Sequence, residues 1–161
     1  MLLEIEQQEF NSLGSTELFI RCTEPTLVQM RVSDPSEKIQ IMTELNRSQQ
    51  AMFMFRLLYP AQNSAVDYYS WLSYLIEQPG YWSGVISGLR FFSEYSLIQL
   101  LEESETILEA HDKGIQPEHN TELQASLHPL FARFQSLLPE SIERISGYIR
   151  SNPEEFVQLI N

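Results

Sequence analysis

Helix starts recur along this chain, and they constrain its fold more than any other feature. Asp34-Pro35-Ser36-Glu37 sets out a capping acid, a proline at the first helical position and a glutamate at the third. Each is favoured there because the first amides of a helix lack intrahelical partners. A helix over 35–45 follows, with Ile39 and Met42 inward and Ile41 beside them. Asn46-x-x-Gln49 repeats the logic before a helix over 48–59, where Ala51, Met52, Phe55 and Leu58 recur at helical spacing. Phe53 and Met54 are apolar too, so this helix is hydrophobic nearly all round and belongs at the centre of the core. Pro60 ends it. Ser64-x-x-Asp67 opens another to about residue 77, with Val66, Tyr69, Leu72 and Ile76 on its inner side, and Gln78-Pro79-Gly80 stops it.

Farther along, Gly84 and Gly88 lie four apart, which on a helix leaves a flat strip for the close approach of another backbone. The segment 92–112 is amphipathic: Leu97, Leu101, Leu108 and His111 form its apolar side, with acids opposite. Gly114 and Pro117 mark a loop, and Asn120 caps a final pair of helices over 121–137 and 139–150. Pro129 is expected to kink or divide the first of them. Asn152-Pro153-Glu154-Glu155 caps a short terminal turn carrying Phe156 and Val157. Strand signals are confined to 18–22 and 27–32 and are weak. The expectation is an all-α fold, a single compact bundle of about six to eight helices. One domain spans 1–161, with a less regular N-terminal segment over 1–33 and a helical core over 34–161.

A chain of 161 residues can bury roughly 70% of its unfolded surface around one core, so it needs no covalent staple. It could not form an internal disulfide in any case, since Cys22 is the only cysteine and reads as a small buried residue. With acid by the fourth residue and no basic start, the N-terminus does not read as a targeting signal, and a reducing cytoplasm is the expected setting. No apolar run approaches the ~20 residues that cross a bilayer. Twenty-two acids against ten bases give a formal charge of −12. That balance repels nucleic acid and anionic membrane and favours a basic protein partner, although it also serves plain solubility.

No nucleotide-binding glycine loop, zinc-protease helix, serine elbow or Cys-x-x-Cys pair occurs. His111, His119 and His128 do not sit in the Glu-x-x-His pairs of helical di-metal sites. The expectation is a non-enzymatic protein with no metal and no cofactor. What remains is the geometry of the acids. Glu102, Glu105, Glu109 and Asp112 fall at intervals of three, four and three, which aligns them along one helix face, with Glu94 and Glu103 flanking the row. No Lys or Arg occurs within 91–112 to relieve their repulsion. The row can be a solvated face. Alternatively, Glu94, Glu102, Glu103, Glu105, Glu109 and Asp112 form a partner-binding surface offering cationic side chains something like a phosphate array.

Three stretches resemble a family of small acidic helical bacterial proteins typified by a DNA mimic. They are Leu45-Asn46-Arg47-Ser48-Gln49-Gln50-Ala51-Met52-Phe53 leading to Tyr59; residues 64–82 followed by Leu97-Ile98-Gln99-Leu100-Leu101-Glu102; and Tyr148-Ile149-Arg150-Ser151-Asn152-Pro153-Glu154-Glu155-Phe156. At Gln78-Pro79-Gly80-Tyr81-Trp82 the chain departs from that family's paired glycines. The resemblance implies an all-helical fold that sequesters a DNA-binding regulator on an acidic surface. The same electrostatics fit an immunity or antitoxin protein that masks a basic nuclease toxin. A small enzyme with dispersed acid–base residues is the third reading, and it requires a deep pocket lined by carboxylates.

Overall fold

The computed structural model describes residues 2–111, 114–116 and 119–161. Among these, eight α-helices and two short strands follow in order: β1 (Leu3–Glu6), α1 (Gln7–Ser12), α2 (Ser15–Arg31), α3 (Pro35–Glu44), α4 (Arg47–Arg56), α5 (Ala65–Glu77), α6 (Tyr81–Phe91), α7 (Tyr95–Ala110), α8 (Thr121–Ser151) and β2 (Val157–Ile160). The all-α bundle expected from the helix starts is the observed fold.

Those starts are made as the sequence spells them. The Asp34 carboxylate accepts from the Glu37 amide at 2.9 Å, the Ser64 hydroxyl from the Asp67 amide at 3.0 Å, and the Asn120 side chain from the Leu123 amide at 3.0 Å. At α4 the exchange is reciprocal: the Gln49 amide donates to Asn46 Oδ1 at 2.8 Å, and the Asn46 amide to Gln49 Oε1 at 3.1 Å. Each cap removes one orphan donor, an effect of about 1 kcal/mol.

The core lies where α2, α4 and α5 meet the long helix α8. Leu18 and Phe19 of α2, Phe55 of α4, Tyr68 and Leu72 of α5 and Phe134 of α8 are fully buried in one cluster, with Phe19 edge-on to Phe55 at 5.3 Å and Tyr68 against Phe134 at 5.1 Å. Helix α4 is apolar on nearly every side, with Ala51, Met52, Phe53 and Phe55 all buried. It packs on α6 through the glycine strip. A β-carbon on Gly88 would stand 2.7 Å from the Ala51 carbonyl oxygen, so the two backbones touch only because that position has no side chain.

Five expectations are corrected. Residues 2–33 are largely helical: 18–22 and 27–31 both belong to α2, which runs through Pro25. Neither Pro129 nor Pro139 divides α8, which is continuous for 31 residues. Near the first of these prolines the Tyr69 hydroxyl donates to the Gln124 carbonyl, one residue before the Ala125 carbonyl that loses its usual helical donor. The short terminal turn is present over Pro153–Glu155, but the residues after it form a strand, pairing in parallel with β1 from Leu3 opposite Val157 to Glu6 opposite Ile160, which buries Ile5 and Val157. Asn152 stands between α8 and that turn without capping it through its side chain, whose amide instead donates to the Tyr148 carbonyl at 3.0 Å. On α3 it is Ile41 that is buried, while Ile39 is 69% exposed. Val66, on the face of α5 read as inner, is likewise exposed.

Among the described residues, no helix is long and apolar enough to cross a membrane.

Candidate functional site

The acidic row lies on α7, which packs its apolar side along α8 and against α5 and α6. Leu97, Leu100, Leu101 and Leu108 fill that side, together with Ser104, whose hydroxyl meets the buried Tyr68 hydroxyl at 2.7 Å. This anchoring fixes the rotation of the helix. Glu102 and Glu109 consequently stand exposed, with Glu105 half-buried between them. At positions i, i+3 and i+7 the three occupy one edge. None forms an ion pair with any described residue. The Glu105 carboxyl is held above the usual carboxylate range, first by its partial burial and then by the charges of Glu109 and Glu102.

The flanking residues do not join this edge. The segment 92–112 is not one helix: Ser93 adopts a left-handed conformation (φ 60°), and Glu94 is the residue before α7 rather than part of it. Its side chain is turned inward, only 2% exposed, and bound by Arg144 of α8 at 2.7 Å. Burial disfavours its charge, but the hydrogen bonds from Arg144 and Ser141 and the guanidinium charge outweigh that and hold its carboxyl below the usual range. Glu103 projects from the opposite flank of α7 and pairs with Arg133 at 3.2 Å. The absence of cations within 91–112 is thus compensated by α8, and Glu94 and Glu103 are withdrawn from the proposed surface. Asp112 lies outside the described residues.

One acid that the sequence did not nominate joins the edge. Glu77, at the end of α5, lines a cleft of about 320 Å³ of mixed character, with Glu109, His111, Ser70 and Ser73 beside the apolar Tyr74, Ile76, Leu108 and Ile115, so the row of α7 runs into a concave end that carries a further carboxylate. The sequence carries no mark of this, because Glu77 and Glu109 meet only through the packing of α5 on α7. His111 ends α7, as its position after the last apolar residue suggested, with its Nδ1 against the Leu108 carbonyl. Glu140 and Glu143 of α8 lie close enough to Arg144 for their charges to favour its protonated form.

Among the described residues, no group of three His, Cys, Asp or Glu side chains could hold a metal ion. Cys22 is buried, and burial pushes its thiol up to about 11 despite the nearby charges of Arg21 and Arg150, so it is no nucleophile in the folded chain. No family model matches the chain, and neither curated proteins nor solved structures give a match.

Proposed function

We propose that this protein is a non-enzymatic binding protein whose Glu102, Glu105 and Glu109 edge takes Lys and Arg side chains of a DNA-binding regulator, in the manner of a DNA mimic. The observation that carries the reading is three carboxylates held in a row along one edge of a packed helix, with no described cation paired to them. At 1.5 Å rise per residue the row sets three charges along ~10 Å of helix axis. That is sparser than the charge per ~1.7 Å of duplex DNA, so binding of this kind is competitive and salt-sensitive. The cleft beside Glu77 and Glu109 supplies a concave end into which one long cationic side chain fits.

The test is capture of the partner at low and at high salt, with wild type beside the triple variant E102K/E105K/E109K. The three substitutions fall on exposed or half-exposed positions and leave the apolar face of α7 intact. The expected result is a partner released by salt and by added duplex DNA, and bound at least about tenfold more weakly by the variant. A complex insensitive to both salt and the substitutions overturns the reading. A captured protein with nuclease activity that this chain inhibits would move the target from regulator to toxin.

A further inference from the structure

A second feature of the fold, independent of the acidic edge, is an apolar chamber of about 440 Å³ walled by α2, α3, α4, α5 and α6. Its volume lies within the ~300–1,000 Å³ range of small-molecule sites. Three of the chain's five methionines, Met30, Met42 and Met54, form much of its wall, with Phe53, Leu57 and Leu75 behind them. Methionine side chains are flexible and polarizable, and they adapt to a ligand without fixed shape. At the α5–α6 end, Trp71 stacks on Tyr74 with ring centroids 5.1 Å apart, and its indole N–H is occupied by the Leu57 carbonyl, which fixes the ring at the chamber wall.

The charges around the chamber are one-sided. Arg31, at the end of α2, and Lys38, in the first turns of α3, line it, and no Asp, Glu or His does. Neither cation forms an ion pair among the described residues. In a chain of net charge −12 a cationic lining runs against the overall balance, and the neighbouring acids Asp34 and Glu37 stand exposed at the start of α3 without forming part of that lining. Helix α3 is also incompletely seated. Only Ile41 is buried, while Ile39, which lines the chamber, is 69% exposed and Met42 is half-covered. A bound apolar chain would cover both.

We propose that this chamber binds an acyl carboxylate of medium length, with the chain against Met30, Met42, Met54 and Phe53 and the carboxylate held at the mouth by Arg31 and Lys38.

The test uses the full chain carrying W82F, which leaves Trp71 as the only tryptophan. Decanoate, kept below its aggregation concentration, is titrated beside decanol and decylamine, with emission and calorimetric heat as readouts. The expected result is a saturable response to decanoate, about tenfold weaker binding in R31A/K38A, and weaker binding of decylamine than of decanoate. Thr43→Trp, which places a ring at the chamber lining, should abolish the response in a protein whose circular dichroism is unchanged. Absence of any saturable response in the folded protein overturns the proposal, as does equal binding of carboxylate and ammonium. Capture of an acidic amphipathic peptide without decanoate binding would also overturn it and assign the chamber to a protein partner.

Discussion

Arg144 of α8 grips Glu94, the residue before α7, through two parallel hydrogen bonds: Nη2 to Oε1 at 2.7 Å and Nε to Oε2 at 2.8 Å. The carboxylate is buried, the guanidinium half-exposed, and the pair fixes the turn at Ser93 onto the long helix. A two-pronged pair of this kind gains geometry as well as energy. It also explains how an acid in an apparently uncompensated run can be structural.

Removing the arginine strands the acid. Arg144→Ala should destabilise the chain by about 1–3 kcal/mol at pH 7, less than for a fully buried pair because water reaches the half-exposed side. The pH dependence has a definite sign. In wild type the Glu94 carboxyl lies below its unfolded value, so its contribution is present above the unfolded value near 4.5 and is lost as pH falls through the folded one. In the variant burial is opposed only by the Ser141 hydrogen bond, the carboxyl rises, and neutral pH becomes the unfavourable side. Urea unfolding should therefore show the cost of R144A shrinking toward pH 4. A pH-independent cost would mean that the arginine acts through packing alone.

Glu105 should behave in the opposite sense. Its folded carboxyl is raised by burial and by Glu109 and Glu102, so its charge disfavours the fold once pH rises above the unfolded carboxylate value. Glu105→Gln is expected to stabilise by a few tenths of a kcal/mol per like-charge pair at pH 7, with no gain at pH 4 and a smaller gain in high salt. The edge is solvent-facing and screening limits the effect, so chemical-shift titration of the three carboxyl groups is the more sensitive check.

The contrast between these two acids shows what the sequence could and could not disclose. Caps at Asp34, Asn46, Ser64 and Asn120 are exchanges within three residues, and their side chains name them. The amphipathic pattern of α7 oriented Glu102, Glu105 and Glu109 correctly for the same reason. Arg144 and Arg133 reach α7 from 50 and 30 residues away, so no local spacing could foretell that Glu94 and Glu103 would be neutralised. The parallel pairing of β1 and β2 joins the two ends of the described chain, and the apolar chamber needs five elements in place before it exists. The continuity of α8 through Pro129 and Pro139 depends on packing that a local helix-breaking rule does not contain.

The glycines of two helices separate close packing from mere tolerance. Gly88→Ala forces a methyl group onto the Ala51 carbonyl, which belongs to backbone and cannot swing aside, so a loss of about 1–3 kcal/mol is expected. Gly147, exposed in the interior of α8, would place its β-carbon in open space, and Gly147→Ala should gain roughly 0.5–1 kcal/mol from helix propensity. Paired urea melts read both. Equal effects at the two positions would refute the close approach of α4 and α6.

Cys22 offers a probe of opening that needs no added label site. The thiol is 8% exposed and pushed up to about 11, with burial the main cause and Arg21 and Arg150 acting against it. At pH 8 the thiolate fraction in the folded state is then on the order of one in a thousand, far below that of a free thiol near 8.5. Native protein should alkylate far more slowly than unfolded protein in urea, where the ordinary value returns. The native rate also has a prescribed dependence on neighbouring substitutions. Gly88→Ala, which loosens the α4–α6 contact without touching α2, should speed alkylation only if Cys22 becomes exposed by global unfolding. A variant that lowers stability by urea but leaves the alkylation rate unchanged would show that α2 opens on its own, independently of the core around Phe55 and Tyr68.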